Sequence, residues 1–155
     1  MKILLTGANG LLGQKIIYQL KDDPKVELLA TGRGENRLIE KSGYQYFDVD
    51  IADKNAIQKL IEEQKPDGVI HGAAITNVDY CEENQAECWQ ANVIATQYII
   101  AACEKINAHL IYISTDFVFD GKKGNYREED QANPVSFYGK SKLEAESLVQ
   151  KYKLS

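Results

Sequence analysis

Between a short apolar run, Ile3 to Leu5, and a segment patterned as a helix from Leu11, the chain places Thr6-Gly7-Ala8-Asn9-Gly10-Leu11-Leu12-Gly13. No other stretch restricts the fold as tightly. Glycines let the backbone turn sharply and approach a bulky anion, and the helix that follows presents unpaired N–H groups and a partial positive charge at the same point. The stretch reads as a phosphate-binding turn. A strand before it and a helix after it are the context that a dinucleotide requires.

The rest of the chain supplies matching units. Leu12, Ile16, Ile17 and Leu20 recur at spacings of three and four in the first helix, which Asp22-Asp23-Pro24 breaks. Val26 to Ala30 is a second apolar strand, ending at Thr31-Gly32-Arg33-Gly34, so the first two strands are parallel. A polar stretch with a helical turn or two over Arg37 to Lys41 leads to a third strand, Tyr44 to Asp50. Asp53 is placed to cap a helix with Ala56, Ile57, Leu60 and Ile61 on one face, and Pro66-Asp67-Gly68 stops it before a fourth strand, Val69 to Ala74. The longest helical pattern runs from about Asp79 to Lys105, with Ala91, Ile94, Ala95, Tyr98, Ile99 and Ala102 as its apolar stripe. Ala108 to Ser114 is the fifth strand. A polar span, Asp116 to Ser136, then precedes a last helix, Phe137 to Lys153, and a loop of that length points to function or disorder.

Five strands alternating with helices predict an α/β fold with a doubly wound parallel sheet of the Rossmann type, in strand order 3-2-1-4-5. Ligands bind such sheets at the carboxyl edge where the winding reverses, here between strands 1 and 4. The glycine turn, Ala73-Ala74-Ile75-Thr76 and Ser114-Thr115-Asp116 all arrive at that edge.

A length of 155 residues makes one domain with a real core. The net charge of −5, with most of the acidic excess in residues 78–155, excludes a nucleic-acid footprint. No apolar run approaches the roughly 20 residues that span a bilayer, and Met1-Lys2-Ile3 enters a strand directly, so no membrane partner and a cytoplasmic location are expected. Cys81, Cys88 and Cys103 contain no C-x-x-C pair and read as reduced thiols. His71 and His109 lie far apart in or beside strands, where packing or hydrogen bonding is a better reading than metal binding.

Two further features carry chemistry. The end of strand 2 offers Arg33 and no acid; an acid there selects NAD, whereas a guanidinium suits a 2′-phosphate, so NADP is the expected cofactor, with NAD the alternative. Tyr138 and Lys142 lie four apart and share a helix face with Ala145, Val149 and Tyr152, which turns the lysine inward. An ammonium beside a tyrosine favours phenolate and lowers a pKa that is otherwise near 10, giving a tuned acid-base couple.

Taken in order, the glycine turn, Thr115 after strand 5 and Tyr138/Lys142 opening the next helix resemble the extended short-chain dehydrogenase/reductases. Ser114-Thr115-Asp116-Phe117-Val118-Phe119-Asp120-Gly121 is very similar to a motif of the dTDP-4-dehydrorhamnose reductase family. Lys65-Pro66-Asp67, Ala73 to Asp79 and Tyr138 to Glu146 continue the match over essentially the whole chain. The resemblance implies NADPH-dependent reduction of the C4 carbonyl of a nucleotide-linked deoxysugar. Tyr138 would give the proton, Thr115 would hydrogen-bond the carbonyl oxygen, and Lys142 would hold the nicotinamide ribose and tune Tyr138. Gly7, Asn9, Gly10 and Gly13, with the N–H groups of Leu11 and Leu12, would take the pyrophosphate. Asp48 and Val49 would border the adenine, and Ala73, Ala74 and Thr76 would line the nicotinamide side. Asn92 matches a family position on the long helix that supports the active-site strands, against a reading as a helix-surface amide.

Sugar-nucleotide 4,6-dehydratases carry an acidic pair after the threonine where Phe117 follows Asp116 here, and epimerases carry a serine-rich stretch. A non-catalytic relative, the regulatory subunit of methionine adenosyltransferase, keeps the fold and binds NADP as a partner protein. Members of the family continue into further strands that build the sugar-nucleotide pocket. Residues 1–155 are therefore expected to be the cofactor-binding part of a longer reductase, with the C-terminal substrate region absent. Strand 5 would then be an exposed edge at which pairing with another chain is a hazard, and a homodimer is a separate expectation.

Overall fold

The computed structural model describes residues 1–155 and bears out the sheet. Strands β1 (Lys2–Thr6), β2 (Glu27–Gly32), β3 (Gln45–Asp48), β4 (Gly68–His71) and β5 (His109–Tyr112) are all parallel, in the order β3-β2-β1-β4-β5. Thr6 pairs with Thr31 on one side and His71 on the other, so the central strands end level and their loops emerge together.

Alternate residues of β1 feed two cores. Leu4 points toward α2 (Lys54–Gln64) and α5 (Ala95–Ile106), where it packs with Ile57, Ile61 and Ile99. Ile3 and Leu5 pack on the other face with Ile17 of α1 (Leu11–Leu20), Leu28 and Ala30. Strands buried on both faces read as continuous apolar runs, which is why they were legible. Asp53 caps α2 as expected, its carboxylate accepting the Ala56 N–H at 3.1 Å.

Several elements differ from expectation. Arg37 to Lys41 forms no helix, because side chains claim its backbone: Asn9 Oδ1 accepts the Arg37 N–H at 3.0 Å and Asn36 Oδ1 the Leu38 N–H at 3.1 Å. These bonds drop Leu38 into the core. The pattern from Asp79 to Lys105 is split. A short α3 (Val78–Glu83) stops at Asn84, whose φ of −123° and ψ of 54° are not helical. Then α4 (Gln85–Trp89), a π segment (Gln90–Ile94) and α5 run on as one helix. Strands 4 and 5 end earlier than their apolar runs, at His71 and Tyr112, leaving Ala73 to Thr76 and Ser114 as loop. Helix α6 (Phe137–Val149) likewise ends before Lys153. Beyond it the chain folds back on the sheet: Tyr152 donates its hydroxyl to the Ala108 carbonyl at 2.6 Å and Leu154 accepts the Leu110 N–H at 2.9 Å. Strand 5 is thus an edge with one N–H already engaged, while Ile111 on its open face is exposed.

Candidate functional site

The carboxyl edge opens with the glycine turn. Gly7 has φ +79°, and a Cβ there would lie 2.8 Å from the Ala73 nitrogen; one at Gly13 would overlap the Gly7 carbonyl. The first requires a left-handed backbone and close approach to the β4 loop, and the second lets α1 press against the turn. Gly10, the N-cap of α1, supplies no side-chain cap, and the first turn of the helix carries no acid. The helix start therefore offers backbone donors and positive potential to an anion, a cradle that fits a pyrophosphate. Leu11 and Leu12 flank it and are exposed.

Asn9 has a second task. Its Nδ2 reaches the carbonyls of Arg33 (3.2 Å) and Glu35 (3.0 Å) and the Tyr46 hydroxyl (2.9 Å), and its Oδ1 takes the Arg37 N–H. The amide is spent on holding the loop after β2 rather than aimed into the cleft. That loop presents Arg33, whose side chain is 79% exposed and lies 3.8 Å from Asp50, a surface pair of little energetic weight. Asp48 Oδ1 accepts the Gly34 N–H at 2.7 Å, and Val49 packs against the main core, so both stand at the end of β3 beside Arg33.

On the far side of the cleft, Ala73, Ala74 and Thr76 follow β4. The Ala73 N–H donates to Thr6 Oγ1 at 3.2 Å, and Asn92 clamps the backbone of Ile75, accepting its N–H at 2.8 Å and donating to its carbonyl at 3.0 Å. Asn92 is buried, not a surface amide, and its Nδ2 also reaches Ser141 Oγ at 3.0 Å; that hydroxyl in turn donates to the Tyr138 carbonyl at 2.7 Å. One side chain joins the β4 loop to α6. The π turn in which it sits is a frequent accompaniment of functional sites.

Thr115 and Tyr138 meet where the loop after β5 crosses the start of α6. Tyr138 is buried, its ring edge-on to Phe117 at 5.6 Å and packed against Cys81 and Cys88. Burial pushes its pKa up, and the Thr115 side chain opposes that rise. The expected tuning by Lys142 is corrected here. Lys142 is buried, donates from Nζ to the Ile113 carbonyl at 2.6 Å and lies 4.0 Å from the centre of the Tyr112 ring, so its nearest partners belong to the β5 side and two of its three donors stay free. Burial brings Lys142 down to about 8, and Tyr138 stays protonated at neutral pH.

Next to Tyr138 is a cleft of about 490 Å³, walled by Glu82, Asp116, Phe117, Phe119, Tyr126 and Val135 among others. Its walls are set by two carboxylates that the sequence reading did not single out. Asp120 accepts from the Tyr126 hydroxyl (2.6 Å), the Asn133 amide (3.1 Å) and the Lys122 N–H (3.1 Å), ordering the long loop from within. Glu82 accepts the Phe137 N–H at 2.6 Å and docks α3 on the start of α6. The Phe119-Asp120-Gly121 motif was the available signal for the first; nothing local marks the second. Cys81, Cys88 and Cys103 are free and buried, and burial raises Cys81 and Cys103 to about 12, the profile of inert thiols.

A profile of the family described as RmlD substrate binding domain matches residues 1–155. The chain belongs to that family. The resemblance carried by Ser114 to Gly121 is thereby borne out. Among its relatives, methionine adenosyltransferase 2 subunit beta of Bos taurus is 37% identical over 148 residues, covering 96% of this chain and 42% of its own. A dTDP-4-dehydrorhamnose reductase of Clostridium acetobutylicum has a solved structure that is 40% identical with a TM-score of 0.83, over 98% of this chain and 50% of its own. A dTDP-4-dehydrorhamnose reductase of Bacillus anthracis, solved in complex with NADP, is 30% identical with a TM-score of 0.80, over 97% and 49%. The chain spans about half the length of these solved relatives and less than half of the curated ones.

Proposed function

We propose that residues 1–155 form the NADP(H)-binding and catalytic part of a reductase that acts on the 4-keto group of a nucleotide-linked deoxysugar, with NAD as a weaker alternative cofactor. The observation that carries this reading is that the turn capped by Thr115 packs on Tyr138 through the Phe117 ring, with Lys142 one turn further along α6, at the same sheet edge as the glycine cradle. The bound dinucleotide supplies the hydride. Gly7, Gly10, Gly13 and the N–H groups of Leu11 and Leu12 hold the pyrophosphate, Arg33 pairs with the 2′-phosphate, Asp48 and Val49 border the adenine, and Ala73, Ala74 and Thr76 line the nicotinamide.

Tyr138, kept protonated by burial, donates its phenolic proton to the carbonyl oxygen as negative charge develops there, and Thr115 hydrogen-bonds the same oxygen. Lys142 holds the nicotinamide ribose. Phe117 and Val135 give the adjoining cleft an apolar wall, and the sugar enters by that cleft. The test is NADPH consumption by the full-length reductase with a nucleotide-linked 4-keto-6-deoxy sugar. Tyr138→Phe is expected to cut the rate by about 10²–10⁴; an unchanged rate rejects the assigned role.

The 37% identity to a methionine adenosyltransferase subunit supports a second reading, a non-catalytic NADP-binding partner module. It predicts NADPH binding without turnover and co-purification with a partner enzyme.

A further inference from the structure

His71, the last residue of β4, is fully buried and has no part in the chemistry above. Each ring nitrogen meets a threonine: Nδ1 is 2.7 Å from Thr6 Oγ1 and Nε2 is 3.0 Å from Thr96 Oγ1. The other bonds of these hydroxyls fix the direction. Thr96 donates its single hydroxyl hydrogen to the Asn92 carbonyl at 2.8 Å, so toward His71 it accepts, and Nε2 carries the proton. In the neutral ring Nδ1 is then an acceptor. Thr6 donates to it, and the same Thr6 oxygen accepts the Ala73 N–H at 3.2 Å. Burial and the Lys142 ammonium both keep the ring neutral.

Every donor therefore points the same way, from the Ala73 N–H through Thr6, His71 and Thr96 to the carbonyl of Asn92. Bonds aligned in this way reinforce one another. The chain begins where the two loops of the cleft touch, since Thr6 leads into Gly7 and a Cβ on Gly7 would lie 2.8 Å from Ala73. It ends on the residue that clamps Ile75 and reaches Ser141 beneath Tyr138.

We propose that His71 is a positioning residue, locked in the Nε2–H tautomer, that fixes the separation of the glycine turn from the Ala73–Thr76 loop and ties both to the helix segment bearing Asn92. The proposal rests on reading this edge as a dinucleotide cleft. Its role is geometric; no proton passes to substrate.

The test combines ring ¹⁵N NMR of His71, amide hydrogen exchange at Ala73 and NADPH affinity, in wild type and in Thr96→Val, His71→Gln and His71→Leu. The ring is expected to show a protonated Nε2 and a bare Nδ1. Thr96→Val, which removes the hydroxyl acceptor and its donation to Asn92 while nearly keeping the shape, should speed Ala73 exchange and weaken NADPH binding, each by about tenfold. His71→Gln, whose amide can accept from Thr6 and donate to Thr96, should recover most of what His71→Leu loses. If His71→Leu does not fold, Thr96→Val carries the test. A protonated Nδ1, or Ala73 exchange unchanged in Thr96→Val, overturns the proposal. Failure of wild type to bind NADPH overturns the reading of the cleft instead, and the ring and exchange measurements still decide the role of His71.

Discussion

Gly13 packs directly beneath Gly7, and a Cβ at position 13 would come within 2.8 Å of the Gly7 carbonyl carbon and 2.9 Å of the Ala8 Cα. Both obstacles are backbone, which cannot rotate away. Gly13→Ala is expected to destabilise the fold by about 1–3 kcal/mol. Gly10 is different: its φ of −78° suits any residue, and its nearest obstacle is the Gly7 oxygen at 3.3 Å. Gly10→Ala should therefore keep nearly wild-type stability while losing NADPH affinity, because the methyl would stand in the proposed path of the pyrophosphate. Urea unfolding and fluorescence titration through Trp89 separate the two outcomes.

Lys142 is held at about 8 by burial. Between pH 8 and 10.5 the unfolded chain binds the lysine proton more tightly than the folded one, so the cost of burying the ammonium is full below pH 8 and fades as pH rises. Lys142→Met is expected to be more stable than wild type at pH 7, by roughly 1–3 kcal/mol, with the gap closing toward pH 10. Denaturant midpoints at pH 7 and pH 9.5 check this. A gap that widens with pH contradicts the assignment.

His71 gives the opposite limb. Burial, helped by the Lys142 charge, pushes its pKa down to about 3, so below pH 6.5 the unfolded chain takes up a proton that the folded chain refuses. Stability from this group is present above pH 6.5 and is lost as pH falls toward 3. From pH 6.5 to 4.5 the loss should reach about 2–3 kcal/mol. His71→Gln, with nothing to protonate, should flatten that limb, as read by thermal unfolding across the range.

Asn9 holds the carbonyls of Arg33 and Glu35 and the N–H of Arg37. Arg33→Ala is expected to lower the ratio of NADPH to NADH affinity by about tenfold or more, as loss of a charge-assisted bond predicts. Asn9→Ala should lower the same ratio with Arg33 intact, because the loop that presents the guanidinium loses its anchor. Parallel titrations with the two cofactors give both numbers; an unchanged ratio in Arg33→Ala removes Arg33 from the phosphate site.

The sheet was legible because each central strand is an apolar run closed by a glycine, proline or aspartate. Its order followed from alternation with helices. The helical reading of Arg37 to Lys41 failed because it weighed local pattern, whereas Asn9, distant in sequence, bids for that backbone. The break at Asn84 was hidden for a related reason: apolar residues continue on both sides of it. The site divided in the same way. Gly7, Gly13, Thr115 and Tyr138 announce themselves by residue type and order. The aim of Lys142 depends on where the Ile113 carbonyl and Tyr112 ring sit, which no spacing encodes. The partners of His71 were equally silent, since a histidine in an apolar strand does not reveal which threonines it will meet.

The π segment has a consequence for the helix that contains it. In an uninterrupted α-helix Cys88 and Ala95, seven apart, would share one face. The wider turn of Gln90–Ile94 retards the helix by roughly a quarter turn. Cys88 consequently looks toward Tyr138, while Ala95, Ile99 and Ala102 look toward the sheet. A single rod is read out of phase at its two ends, and this angular offset lets one length of backbone serve both the sheet and the helix that bears Tyr138.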